Sequence, residues 1–259
     1  MKYRILLTAL LAGSCFMAKA QDNAKPEDTE FWSPEPPVVT PGKHLGDAPS
    51  DAIILFGGTD LNQWVDAQDR SKPANWFVKD GIITVNKSAG NMETKQLFSN
   101  YQLHVEWREP IDIQGTSQAR GNSGVFLASL GPGDAGYELQ VLDSYKNKTY
   151  VNGMAGSIYK QFIPLANPMR PPGEWNTYDV IWIAPTFNAD GSVNTPARAT
   201  VIFNGVIVQN DVTLAGPTLY IGHPSYKGAA HGPAAIKLQA HGDDSKPISY
   251  RNIWVRPLQ

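Results

Sequence analysis

Sulfur, helix-forming runs and basic charge are all scarce in this chain. One cysteine, Cys15, stands among 259 residues. It falls in an N-terminal segment expected to be removed, so the mature chain would hold no disulfide, no thiolate nucleophile and no thiolate metal ligand. Long Ala/Leu/Glu/Lys runs are absent, which excludes a helical bundle or coiled coil. The net charge is −2 with no basic stripe, and nucleic acid is not an expected partner. The longest apolar stretch, residues 5–18, is too short for a comfortable membrane span, so no transmembrane segment is expected in the mature chain.

That stretch has another use. MKYR is a basic start, ILLTALLAGSCFMA an apolar run, and Ala18-Lys19-Ala20 an A-x-A cleavage site. Residues 1–20 therefore read as a signal peptide. Its removal leaves 19 basic against 24 acidic residues, a net charge of −5. An exported protein without cysteine suits a Gram-negative periplasm. The alternative is a lipid anchor on Cys15, for which LAGSC is a poor cleavage box because Ala12 occupies the third position before the cysteine.

Turns and aromatic residues are plentiful: 23 Gly, 20 Pro, 10 Tyr and 7 Trp. Residues 21–50 read as a Pro-rich extended arm, since SPEPPVVTPG places four prolines in ten residues and proline opposes regular helix. From residue 51 short apolar alternations recur between turn signals. WFVKDGIITV reads as two strands joined at Lys79-Asp80-Gly81, and FNGVIVQN as a hairpin turning at Asn204-Gly205. Both are sequences that tolerate the positive φ a two-residue turn requires. About a dozen such strands predict one all-β domain over 51–259, an antiparallel β-sandwich.

Several strands share a second property. In YELQVLD, Tyr137, Leu139 and Val141 face one way while Glu138 and Gln140 face the other. YQLHVEWRE sets Gln102, His104, Glu106 and Arg108 opposite Leu103, Val105 and Trp107, and AIKLQAHG sets Lys237, Gln239 and His241 opposite Ile236, Leu238 and Ala240. Amides, carboxylates and imidazoles on an open sheet face are what sugar hydroxyls require, and aromatic rings serve the apolar sugar faces. Tyr159 and Trp175 would supply such rings or act as lids on the core. Plainer roles exist too: Glu106 with Arg108 as a surface pair, Arg120 with Asn122 as a brace of the GNSG turn, and His104 as a satisfied structural histidine. The spacing E-x-Q-x-x-D from Glu138 to Asp143 is similar to the E-x-D-x-x-E strand of laminarinase-like family 16 glycoside hydrolases. A retaining pair needs carboxyls about 5 Å apart, and a bulge near Leu142 would be required to bring Asp143 to the open face.

Longer strings carry a stronger likeness. LFGGTDLNQW (55–64), LHVEWREP (103–110), ARGNSGVFL (119–127), YELQVLD, AGSIY (155–159), PPGEWNTYDVIW (171–182), FNGVIVQN, IKLQAHG (236–242) and YRNIWVRPL (250–258) follow one another in order. This series resembles the 3-keto-disaccharide hydrolase domain family, formerly a domain of unknown function, from about residue 51 to the C-terminus. The resemblance implies a concanavalin A-like lectin/glucanase jelly roll acting on glycosides already oxidised at sugar carbon three. A ketone there acidifies the hydrogen on carbon two, so that elimination of the aglycone followed by hydration amounts to hydrolysis. Such a route needs a base, an acid and donors to an enolate. The candidates are Glu138 and His241 as acid and base, with Glu106 a third. Arg120, Gln140, Lys237 and Gln239 would hold hydroxyls or the enolate oxygen, and Asn122, Asp143, Tyr159 and Trp175 complete the substrate-binding set. A divalent metal would serve as an enolate stabiliser, although no metal-ligand spacing accompanies it. A sugar oxidoreductase is implied as pathway partner, because something must make the ketone. One departure is the insertion DDSKPIS between Gly242 and Tyr250. A non-catalytic carbohydrate-binding module is the alternative from another class, since fold does not fix function.

Overall fold

The structure is a computed structural model and describes residues 25–258; the expected signal peptide and Cys15 lie outside the described residues. Two compact units divide at Val38 and Val39. The described part of the first is an exposed segment with one short 3-10 turn, Pro26–Thr29. The second unit carries everything else. Residues 39–50 belong to it: the Ser50 amide donates to the Thr40 carbonyl at 2.9 Å, and the Trp254 indole donates to the Gly46 carbonyl at 2.9 Å. No helix among the described residues is long and apolar enough to cross a membrane.

Fifteen strands form the second unit, more than the dozen expected because several are only two or three residues long. In chain order they are β1 Ile53–Phe56, β2 Trp64–Asp66, β3 Phe77–Lys79, β4 Ile82–Thr84, β5 Met92–Thr94, β6 Tyr101–Arg108, β7 Ser123–Ser129 and β8 Gly136–Val141. Then come β9 Asn176–Ile183, β10 Thr186–Phe187, β11 Val193–Thr195, β12 Arg198–Phe203, β13 Val206–Thr213, β14 Ala235–Leu238 and β15 Ser249–Pro257. One antiparallel sheet runs β13-β12-β9-β6-β15-β4-β3, with β1 also on β15; a second runs β2-β5-β14-β7-β8; β10 and β11 form a separate ribbon. Two antiparallel sheets make the all-β sandwich that the alternation predicts. The hairpin signals hold as well: Asp80-Gly81 and Asn204-Gly205 all take positive φ, between 50° and 81°, as a turn matching the strand twist requires.

Between the sheets lies a single apolar core. Leu103, Val105 and Trp107 of β6 meet Tyr137, Leu139 and Val141 of β8 in it, with Tyr178, Val180 and Trp182 of β9. Each fully buried side chain of this size contributes about 1.5–3 kcal/mol. Two phenol hydroxyls tie the layers together. Tyr101 Oη donates to the Leu127 carbonyl at 2.5 Å, and Tyr178 Oη to the Gln140 carbonyl at 2.7 Å. The second bond fastens the strand beneath the site described next to the opposite sheet.

Candidate active site

Three cross-strand rows build the outer face of the five-stranded sheet. The first runs Glu93, Lys237, Phe126, Glu138 across β5, β14, β7 and β8. Beside it lie Gln239, Gly124 and Gln140, the Gln239 amide donating to the Gly124 carbonyl at 3.0 Å. Asn122 and His241 lie just beyond the strand ends. Over these rows opens a cleft of about 610 Å³ lined by Glu138, Gln140, Asn122, Gln239 and His241, and walled by Gln118, Asp134, Tyr150, Tyr159, Thr218, Tyr220 and Asp243.

Glu138 is 5 % exposed, and among the described residues its carboxyl has no hydrogen-bond partner. Burial, reinforced by the nearby Asp134 charge and opposed by Lys237, pushes it up to about 8 from an ordinary 4.5, so it is protonated at neutral pH. A glycine makes room for it: a Cβ on Gly124 would stand 2.8 Å from Glu138 Oε1. Its own amide donates to Thr218 Oγ1 at 3.0 Å.

His241 has a fixed orientation. Nδ1 lies 3.0 Å from Asp243 Oδ2. Burial works against the charge on Asp243, but hydrogen bonds from His241 and Ser245 and the Lys87 ammonium hold it down at about 2. A carboxylate only accepts, so Nδ1 carries the proton and Nε2 presents its lone pair. Nε2 is 3.4 Å from Asn122 Nδ2. Asn122 is in turn oriented by donating to the Gln118 carbonyl at 2.9 Å and accepting from Gln140 Nε2 at 3.0 Å. The carbonyl oxygens of the Gln140 and Gln239 side chains are buried with no partner among the described residues, a cost that a bound hydroxyl would relieve. The hydroxyls of Tyr150 and Tyr159 meet at 2.5 Å, and burial raises both above the ordinary phenol value.

Of the residues singled out in the sequence, the cleft thus brings together Glu138, His241, Asn122, Gln140, Tyr159 and Gln239. The others lie elsewhere. Glu106 is on β6, in the opposite sheet, and lines a separate cleft of about 760 Å³ with Trp175. Burial works against its charge, yet His104, Asn252 and Arg251 hold it at about 2, so it has no proton to give. Trp175 has the guanidiniums of Arg108 and Arg251 against its ring, 4.5 and 4.1 Å from the centroid, in place of a sugar. His104 is a satisfied structural histidine. Burial opposes its charge, but Asp179 and Glu106 hold it up at about 9. Arg120 and Asp143 pair at 2.5 Å, and Asp143 is fully buried. The strand ends before any bulge can turn that carboxylate outward, so the family 16 pair does not form. Lys237 is buried too. Its ammonium donates to the carbonyls of Gly131, Gly133 and Ala135 at 2.7, 2.9 and 3.0 Å and so pins the β7–β8 loop.

Sequence reading missed Asp243, Tyr150 and Tyr220. Asp243 had a signal, since it stands two residues after His241 at the start of the inserted loop; the tyrosines, in irregular segments, had none. Behind the cleft Glu109 is fully buried with both oxygens unpartnered among the described residues. Burial drives it far above the usual carboxylate range, with Asp143 and Asp243 adding to the effect. Among the described residues no group of three or more His, Cys, Asp or Glu is arranged to hold a metal ion.

Fold and cleft together define a class: a β-sandwich with ionisable and amide side chains gathered in a cleft on one outer sheet face. The family follows from comparison. The model of the 3-keto-alpha-glucoside-1,2-lyase-like domain matches residues 51–256, and the chain belongs to that family. A candidate glycosyl hydrolase from Parabacteroides distasonis, known from a crystal structure, is 54 % identical, with a TM-score of 0.84 over 90 % of this chain and 97 % of that one. A second candidate glycosyl hydrolase of that organism shares the fold at 22 % identity, with a TM-score of 0.54 over 80 % of this chain and 99 % of its own. A search of curated proteins found no match. The protein is an enzyme of this glycoside-cleaving family, and a carbohydrate is its substrate.

Proposed function

We propose that the enzyme cleaves 3-keto-glycosides by elimination and hydration, with His241 as base and Glu138 as acid. His241 Nε2 takes the proton from sugar carbon two. The freed electron pair forms the double bond between carbons one and two, conjugated with the ketone, as the bond from carbon one to the glycosidic oxygen breaks. That oxygen leaves with its electron pair and takes the Glu138 proton. Water then adds back, its hydroxyl to carbon one. Glu138 recovers a proton from the water, and His241, its Nε2 proton by then exchanged with solvent, gives a proton back to carbon two. Atoms balance as hydrolysis, and both residues are reset.

One observation carries this reading. A buried carboxyl without a hydrogen-bond partner among the described residues and an imidazole oriented by a carboxylate open onto the same cleft, while Asp143, the second carboxylate of that stretch, is turned inward to Arg120. An acid held near pH 8 is suited to protonating a leaving oxygen at neutral pH. Gln239, whose side-chain amide has no hydrogen-bond partner among the described residues, would donate to the enolate oxygen as charge develops there.

The test compares a 3-keto-disaccharide with its unoxidised parent, run in heavy water. Cleavage of the keto-sugar with solvent deuterium incorporated at carbon two is expected; cleavage of the parent alone removes the elimination route. A sugar oxidoreductase must supply the ketone. We further propose export to the periplasm with cleavage before Gln21, checked by the mass of the mature protein; an acylated Cys15 at its N-terminus would establish the lipid-anchored alternative.

A further inference from the structure

The cleft floor is amide and acid, but one part of its rim is not. Leu219, Tyr220 and Ile221 are consecutive apolar residues that are 43, 71 and 84 % exposed. Loose loops often expose such side chains, but this one is bonded down along its length. The Ala215 amide donates to Gln161 Oε1 and Gln161 Nε2 to the Gly216 carbonyl, each at 3.0 Å. The Thr218 amide donates to the Gly136 carbonyl at 2.8 Å, and Lys160 Nζ to the Tyr220 carbonyl at 2.6 Å. Thr218 also accepts the amide proton of Glu138 itself. The apolar rim is therefore fixed two residues from the backbone of the group proposed to protonate the leaving oxygen.

Whatever lies beyond that oxygen is the aglycone. We propose that Tyr220, on this rim, binds a flat, electron-rich aromatic aglycone, so that the substrate class is the 3-keto-glycosides of phenols; this rests on the elimination reading above. The Tyr220 ring lines the cleft, and the Lys160 ammonium sits 4.1 Å from its centroid. A cation over one face draws electron density from the ring. A ring so polarised attracts an electron-rich π system more than the positively polarised C–H groups of a second sugar.

The experiment measures kcat/KM for 4-methoxyphenyl 3-keto-glucoside and for a 3-keto-disaccharide whose leaving group is glucose, in the wild type and Tyr220→Ala. Loss of an aromatic contact predicts that the aryl-to-disaccharide ratio falls by about five- to tenfold in the variant. An unchanged ratio overturns the proposal. Should the wild type cleave neither compound, the elimination reading falls, and the aglycone proposal is decided by titrating the unoxidised 4-methoxyphenyl glucoside. Binding weakened by a similar factor in Tyr220→Ala supports it; equal affinity, or no binding by the wild type, overturns it.

Discussion

Replacing Glu138 by Gln separates what the cleft does from what it costs the fold. Burial raises the carboxyl from 4.5 to about 8. A raised folded-state pKa means that stability is fully present below about pH 4.5 and is lost as pH climbs through about 8, because the carboxyl ionises freely in the unfolded chain and is resisted in the native one. At about 1.36 kcal/mol for each unit, holding this group neutral and then forcing its ionisation costs about 3–5 kcal/mol by pH 9. The amide of the Glu138→Gln variant keeps the shape, never ionises and avoids that penalty. The variant should match the wild type in thermal stability at pH 4 and exceed it progressively above pH 5. At pH 9 the gain should be about 6–20 °C, taking about 2–4 °C per kcal/mol for a domain of this size. Turnover of a 3-keto-glycoside should meanwhile drop about 10²–10⁴-fold for loss of the acid. Wild-type activity itself should decline as pH rises through about 8. The assay is a melting curve every half unit of pH for both proteins. A difference in melting temperature that is flat with pH, or a Glu138→Gln variant less stable at pH 9, would refute the buried neutral acid.

Three further substitutions probe the surroundings. Gly124→Ala places a Cβ 2.8 Å from Glu138 Oε1; the carboxyl end can swing away, so stability should change by less than about 1 kcal/mol, whereas displacing a reacting group by about 1 Å costs activity about 100-fold. Asp243→Asn removes the acceptor that fixes Nδ1–H on His241. A fall in kcat of about 100-fold or more is expected, with ¹⁵N spectra changing from one imidazole tautomer to a mixture, a signature that loop loosening alone would not give. Tyr178→Phe deletes the bond to the Gln140 carbonyl beneath the cleft; a loss of about 1 kcal/mol in urea unfolding is expected, with turnover within a few fold of wild type.

How far the sequence speaks for itself depends on range. Alternation is a local property, and it correctly divides Tyr137, Leu139 and Val141 from Glu138 and Gln140, and Leu103, Val105 and Trp107 from His104 and Glu106. Asn204-Gly205 specifies its turn because the backbone dihedrals demand it there. Burial of polar groups is a different matter. Lys237 reads as a surface residue that would meet substrate, yet it is enclosed because the β7–β8 loop offers three carbonyls, an arrangement set by residues about a hundred positions away. Asp143 is likewise taken inward by Arg120, and Tyr150 and Tyr220 come to the cleft only through irregular segments that no periodicity describes.

The largest misplacement, Glu106, follows from the geometry of a sandwich. Each of its sheets has one face on the core and one outside, so strands of both sheets show the same apolar–polar alternation. The outer faces nevertheless point in opposite directions, and nothing within a strand says to which sheet it belongs. Only pairing decides that. β6 lies between β9 and β15, while β8 pairs with β7 and β7 with β14. Glu106 and Glu138 thus share a pattern and a chemistry but have the thickness of the core between them. Their proton affinities then diverge for a local reason: Glu106 has Arg251, Asn252 and His104 as partners and stays ionised, whereas Glu138 leans over a glycine with none among the described residues and stays protonated. It is the missing partner, which no single strand can announce, that makes one of two similar glutamates able to act as an acid.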